Sequence, residues 1–194
     1  MGSMKDSIEK VLFDEESIEK IVKRLGEQIS RDYEGKKLLL VSVLKGSVVF
    51  MADLMRNITV PCEIDFMVVS SYGAGTRSSG NVKIVKDLGI DVKDYDLLIV
   101  EDILDSGVTL STLKSMLEAR HPASVRICTF FDKPERRVAD ITADYCGAEV
   151  PDEFIVGYGL DYDEKFRNLP YVGVLNALYA HHVHRHLTSD ELDT

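Results

Sequence analysis

Across residues 14–31, apolar side chains fall at Ile18, Ile21, Val22, Leu25 and Ile29. That spacing lines one face of an α-helix, and the acids at its start sit where a helix dipole favours them. A helix is therefore predicted over 14–31. From residue 37 to residue 44 the apolar run is continuous and stops at Lys45-Gly46-Ser47, which predicts a buried strand, a turn and then a helix over 48–58. Residues 63–71 read as a strand, 72–80 as a loop of small residues, and 81–86 as the return strand of a hairpin. A short apolar strand over 96–101, bounded by acids, precedes a helix opened by Gly107 and running to about Arg120. Strands over 125–131, 154–156 and 171–175 follow. Short apolar strands alternating with helices predict an α/β fold: a largely parallel, twisted sheet flanked by helices. Such sheets bind ligands beyond the carboxyl ends of their strands. Lys45-Gly46, residues 102–109 and Lys133 all fall at such ends.

Composition narrows this picture. With 194 residues, 45% of them hydrophobic, one domain over residues 4–180 is expected; Met1-Gly2-Ser3 ahead of Met4 reads as an expression scar. A formal charge of −10 argues against a nucleic-acid surface, because phosphate backbones attract basic patches. A small anion is still compatible, held by local cations and backbone amides. Cys62, Cys128 and Cys146 are widely spaced with no CxxC pair, so they read as reduced thiols rather than a disulfide or zinc framework. No apolar stretch approaches the ~18 residues of a membrane span, and no signal pattern opens the chain. A cytoplasmic protein without membrane partners is expected. The tail, residues 181–194, carries His181, His182, His184 and His186. The i, i+4 pair would suit a metal on a helix, but a solvated tail is the simpler reading and no role is assigned to it.

The densest chemistry lies at residues 101–109. Adjacent side chains on a strand point to opposite faces, so Glu101 and Asp102 share a side only if the strand ends there, as the predicted boundary has it. Asp105, Ser106, Gly107, Val108 and Thr109 then offer successive backbone N–H groups and two hydroxyls at a helix N-terminus. That arrangement cradles a phosphate, with Gly107 permitting close approach. Carboxylates beside a phosphate need a spacer, and a ribose is suitable because its hydroxyls donate to them. The competing phosphate motifs fail: GxxxxGK[ST] is absent, and residues 73–78 lack the third glycine of a dinucleotide fingerprint.

Residues 100–109 (VEDILDSGVT) resemble the phosphoribosyl-diphosphate motif of the type I phosphoribosyltransferases, in their bacterial hypoxanthine-guanine branch. The likeness runs from about Leu12 to Leu175. It implies that family's fold, with a small hood formed by the chain ends and a mobile lid hairpin beginning at Ser71-Tyr72. It implies Mg²⁺-dependent transfer of a 5-phosphoribosyl group from 5-phosphoribosyl 1-diphosphate to N9 of hypoxanthine or guanine. By this resemblance Glu101 and Asp102 hold the ribose, residues 105–109 hold the 5′-phosphate, and Asp105 is the acid/base. Lys45 and Gly46, after a typically cis peptide bond, would hold the diphosphate with Arg167. Lys133 would donate to the 6-oxo group of the purine, Phe154 would stack on it, Ile155 would present backbone groups to its edge, and Asp161 would complete the purine site. Glu101, Asp102 and Asp161 would contact magnesium. The family usually forms homodimers or homotetramers. A transferase for xanthine, orotate or uracil is the nearest alternative; a donor-sensing, nucleic-acid-binding regulator is the alternative from another class.

Overall fold

The computed structural model of the protein describes residues 4–71 and 82–176. Tyr72 and the loop that follows it, the first three residues and the histidine-bearing tail lie outside the described residues. In chain order the elements are β1 (Ile8–Phe13), α1 (Glu15–Asp32), β2 (Leu38–Val43), α2 (Val48–Asn57), β3 (Cys62–Ser71) and β4 (Val82–Lys86). They continue with β5 (Asp96–Leu104), α3 (Val108–Glu118), β6 (Ser124–Asp132), β7 (Tyr145–Glu149), β8 (Ile155–Val156) and β9 (Val172–Leu175). The chain divides into two compact units, one comprising Glu19–Asp152 and the other drawn from the two ends of the chain.

The larger unit holds a six-stranded sheet in the order β4-β3-β2-β5-β6-β7. Every pairing is parallel except β3 with β4, which is the antiparallel hairpin. Its central strands are apolar on both faces because both are covered. Leu39, Val41, Leu97, Ile99 and Ile127 pack on one face against Leu110, Leu113 and Leu117 of α3. On the other face Phe50 of α2 meets Phe130 of β6 with ring centroids 5.0 Å apart. Leu113 and Leu117 are fully buried, and each contributes roughly 1.5–3 kcal/mol by leaving water. α3 is thereby fixed on the sheet, with its N-terminus at the carboxyl end of β5.

The smaller unit is an antiparallel sheet ordered β1-β9-β8, built around Val156, Phe166, Leu169 and Leu175. The strands predicted over 154–156 and 171–175 belong here rather than to the parallel sheet, as the hood implied by the resemblance requires. The sequence pattern did not predict β1 or β7. β7 is the short, small-residue run YCGAE, and its Gly147 has Phe130 carbonyl and Ile21 side-chain atoms where a Cβ would stand. Close packing across the sheet, rather than β-propensity, makes it a strand.

Candidate active site

β2 ends in a tight turn. Ser47 donates its hydroxyl to the Val43 carbonyl at 2.5 Å, its oxygen lies 2.7 Å from that of Ser42, and the Leu44–Lys45 peptide bond is cis. Gly46 leaves room for its neighbour, since a Cβ there would overlap Asp102 Oδ2 and stand 2.9 Å from Asp102 Cγ unless that carboxylate moved. The backbone at Gly46 and the carboxylate of Asp102 are thus brought into direct contact.

β5 does not stop at residue 101. It continues to Leu104, with Glu101 opposite Thr129, Ile103 opposite Phe131 and Leu104 opposite Asp132 on β6. Continued pairing means continued alternation, so Glu101 and Asp102 lie on opposite faces instead of turning together at a strand end. Asp102 goes to Gly46 and accepts the Ile103 N–H at 2.8 Å. Glu101 lines a cavity of about 190 Å³ with Asp105, Gly107 and Thr109. Burial holds its carboxyl well above the ordinary glutamate range, and the charges of Asp102 and Asp105 push it the same way.

The helix cap at this point is Gly107, at φ +74 and ψ −4, with no side-chain cap hydrogen bond. Asp105 therefore does not cap α3. The first N–H groups of a helix have no partner within it and carry the positive end of its dipole. Gly107 and Thr109, at that end of α3, line the same cavity as Glu101 and Asp105. Space behind Gly107 is filled: a Cβ at that position would stand 2.5 Å from Ile141 Cγ2 and 3.2 Å from Arg137 Cδ.

Lys133 follows β6 and is 8% exposed, a rare burial for lysine. Its N–H donates to the Leu104 carbonyl at 2.9 Å, which seats it beside the phosphate loop. Its ammonium lies 4.0 Å from Asp152 Oδ1. Arg136 donates to the same oxygen at 2.5 Å.

The remaining predicted residues belong to the smaller unit. Phe154 is 55% exposed and meets Tyr162 edge-on, with centroids 5.5 Å apart at 87°. Ile155 is buried and pairs with Val174. Arg167 pairs with Asp161 at 3.0 Å and donates to the Gly159 carbonyl at 2.8 Å. Its Nε is buried without a hydrogen-bond partner among the described residues. Positive φ at Tyr158, Asp163, Glu164 and Phe166 marks this loop as costly backbone, of the kind found at ligand-binding turns. Ser71 ends β3 opposite Val82.

Residues 10–163 match the phosphoribosyl transferase domain family. The chain belongs to that family. Among its relatives, the hypoxanthine-guanine phosphoribosyltransferase of Streptococcus mutans is 58% identical over 172 residues, 89% of this chain and 96% of the relative. A crystal structure of a hypoxanthine phosphoribosyltransferase from Staphylococcus aureus superposes with a TM-score of 0.90 at 50% identity, covering 92% of this chain and 98% of that one. The Trypanosoma cruzi hypoxanthine phosphoribosyltransferase, solved as a ternary complex with substrates, gives 0.87 at 40% identity over 90% of this chain and 99% of that one.

Against this family background, two residues at the site carry no motif and are not legible in the sequence. Asp152 stands between Lys133 and Arg136. Arg137 reaches back under the phosphate loop to the carbonyl of Asp105, with Nε donating at 2.8 Å. Only the density of charge around residues 132–137 could have pointed to Arg137, and nothing to Asp152.

Proposed function

We propose that this chain performs purine salvage, moving a 5-phosphoribosyl group from 5-phosphoribosyl 1-diphosphate to N9 of hypoxanthine or guanine. The observation that carries the reading is the junction of β5 and α3. β5 carries Glu101 and Asp102, continues to Leu104 and then runs into a helix N-terminus capped by glycine alone, with a buried lysine beside it. A sugar phosphate suits that junction: its phosphate takes the N–H groups and hydroxyls of residues 106–109, and the resemblance assigns its hydroxyls to Glu101 and Asp102. Lys133 selects a 6-oxo purine because an ammonium is a donor only, and adenine offers it no carbonyl at that position.

In the transfer, the bond from C1′ to diphosphate breaks, the bond from C1′ to N9 forms, and the base loses a proton. Asp105, at the head of the loop, accepts that proton at N7. Lys45, the Gly46 amide and Arg167 place positive potential where the leaving diphosphate gathers charge. Among the described residues no three His, Cys, Asp or Glu side chains cluster to hold a metal. Magnesium keeps several waters and takes one or two carboxylates together with substrate phosphates, so Glu101 and Asp102, on opposite faces of β5, would contact it partly through water. Those two residues would hold it, with Asp161 assigned by the resemblance. When bound, it neutralises the leaving diphosphate.

Among the described residues no helix is long and apolar enough to cross a membrane. The resemblance supports a cytoplasmic homodimer or homotetramer. Residues 4–180 are assigned to a single catalytic domain. The deciding assay incubates hypoxanthine, guanine, xanthine and adenine separately with the donor and Mg²⁺. Nucleotide is expected from hypoxanthine and guanine; folded protein that yields none from any base overturns the reading. Asp105→Asn is expected to lower kcat far more than it weakens donor binding, and full turnover would remove Asp105 from proton transfer.

A further inference from the structure

The phosphate loop and the purine-selecting lysine are tied to each other by one side chain, Arg137, to which no substrate contact is assigned above. Arg137 donates from Nε to the Asp105 carbonyl at 2.8 Å and from Nη2 to the Leu104 carbonyl at 3.3 Å. Nη1 donates to the Ile141 carbonyl at 2.6 Å, and Nη2 pairs with the Asp132 carboxylate. Its side chain is only 17% exposed, so the contacts to Leu104, Asp132 and Ile141 are partly shielded from solvent. Three of the four acceptors belong to the two segments that carry the chemistry. Leu104 and Asp105 begin the phosphate loop, and Asp132 directly precedes Lys133.

The surroundings reinforce the tie. The Leu104 carbonyl also accepts the N–H of Lys133, at 2.9 Å, so one oxygen receives both the lysine's backbone and the arginine's fork. The N–H groups of Val138 and Ala139 converge on the Ser106 carbonyl at 2.9 and 3.0 Å. Arg137 Cδ and Ile141 together close the space behind Gly107. A planar guanidinium can serve carbonyls in several directions from one rigid group, which an ammonium on a flexible stem cannot do.

Resting on the roles given above to Lys133 and residues 105–109, we propose that Arg137 is a positioning residue. It makes the phosphate loop and the Lys133 segment one rigid body, so that a phosphate settled on the loop also sets the lysine for the base. The consequence is a binding linkage between donor and purine. With the loop empty, Lys133 is less well placed; with the loop filled, the fork transmits the ordering through Leu104 and Asp132.

The test uses a 9-deaza-6-oxopurine, which has carbon in place of the attacking nitrogen and binds without reacting. Its dissociation constant is measured on the full chain by calorimetry, with and without donor and Mg²⁺. In the parent, the donor is expected to tighten the analogue by tenfold or more. Arg137→Lys is expected to reduce that enhancement to under threefold. Arg120→Lys is the control: it removes another guanidinium–carboxylate fork, to Asp87 at 2.8 and 3.0 Å, from beyond the far end of α3, and is expected to keep the parental enhancement. Loss of a generic surface fork would affect both variants alike. Should Arg137→Lys not fold, Asp132→Ala removes only the side-chain link toward Lys133. It is expected to lower the enhancement while leaving donor affinity within twofold. An enhancement within twofold of the parent in whichever variant folds, or no enhancement in the parent, overturns the proposal. Failure of the function reading would be distinct, since it appears as no nucleotide formed by the parent.

Discussion

Replacing Gly107 by alanine tests whether the α3 N-terminus is built around a missing side chain. Two costs arise. At φ +74 the left-handed conformation costs a residue with a Cβ roughly 1–2 kcal/mol. The new methyl would also stand 2.5 Å from Ile141 Cγ2 and 3.2 Å from Arg137 Cδ, and crowding of that kind costs ~1–3 kcal/mol. Together they amount to roughly 2–5 kcal/mol. For a chain of this length that corresponds to a fall in Tm of at least roughly 4 °C. Any relaxation that relieves the crowding moves the helix N-terminus away from the phosphate, so donor KM is expected to rise on the order of tenfold, the equivalent of ~1.4 kcal/mol. Gly35→Ala is the internal control. Its φ is +72, yet nothing lies within 4 Å of a Cβ there, so it carries the backbone cost alone. Thermal denaturation and initial rates against donor, at saturating hypoxanthine, are measured on both variants. If Gly107→Ala loses no more stability than Gly35→Ala and keeps the parental donor KM, the packed loop is not what positions the phosphate.

Gly46→Ala is expected to behave differently, because the atom in its way is a carboxylate that can swing aside. Stability should change by under about 1 kcal/mol, while kcat/KM falls on the order of a hundredfold as Asp102 is displaced; unchanged kcat/KM would detach Asp102 from the chemistry. Glu101→Gln tests the buried carboxyl. Its folded pKa lies above the unfolded value of about 4.3, so the folded state binds the proton more tightly. The parent is therefore most stable, in this respect, below that value and loses stability as pH rises through the folded pKa. The glutamine variant should melt higher than the parent at pH 8, and the gap should close by pH 4.5; an equal gap at both would exclude titration of Glu101 as the cause. Lys133→Met removes the donor to the 6-oxo group. A charge-assisted hydrogen bond of ~1.5–3 kcal/mol predicts a rise in hypoxanthine KM of about 10- to 150-fold, and a rise under threefold would place the base elsewhere.

The parts of this molecule that were legible in its sequence are those whose determinants are local. The phosphate loop is contiguous, and its glycine, hydroxyls and helix start are read within a few residues. The α1 helix follows from periodicity, α2 and α3 from the turn and the glycine that open them, and all three lie within a residue or two of the predicted spans. What stayed hidden depends on segments meeting across the sheet. β5 was expected to end at Glu101 because the apolar run ends there, yet the ladder to β6 carries it on to Leu104. That extension decides which way each carboxylate faces: Glu101 to the cavity, Asp102 to Gly46. Asp102 was expected to serve the ribose, and nothing near it in sequence reveals that its carboxylate fills the space a side chain at 46 would need. Arg137 is the extreme case. It lies in a polar stretch that reads as solvated, and its acceptors come from residues 104, 105, 132 and 141. Such a residue has no local signature, because its partners are carbonyls and every residue has one. Carbonyl-directed arginines with low exposure are therefore the class that only a structure reveals, and at this site one of them lies between the two motifs that were readable.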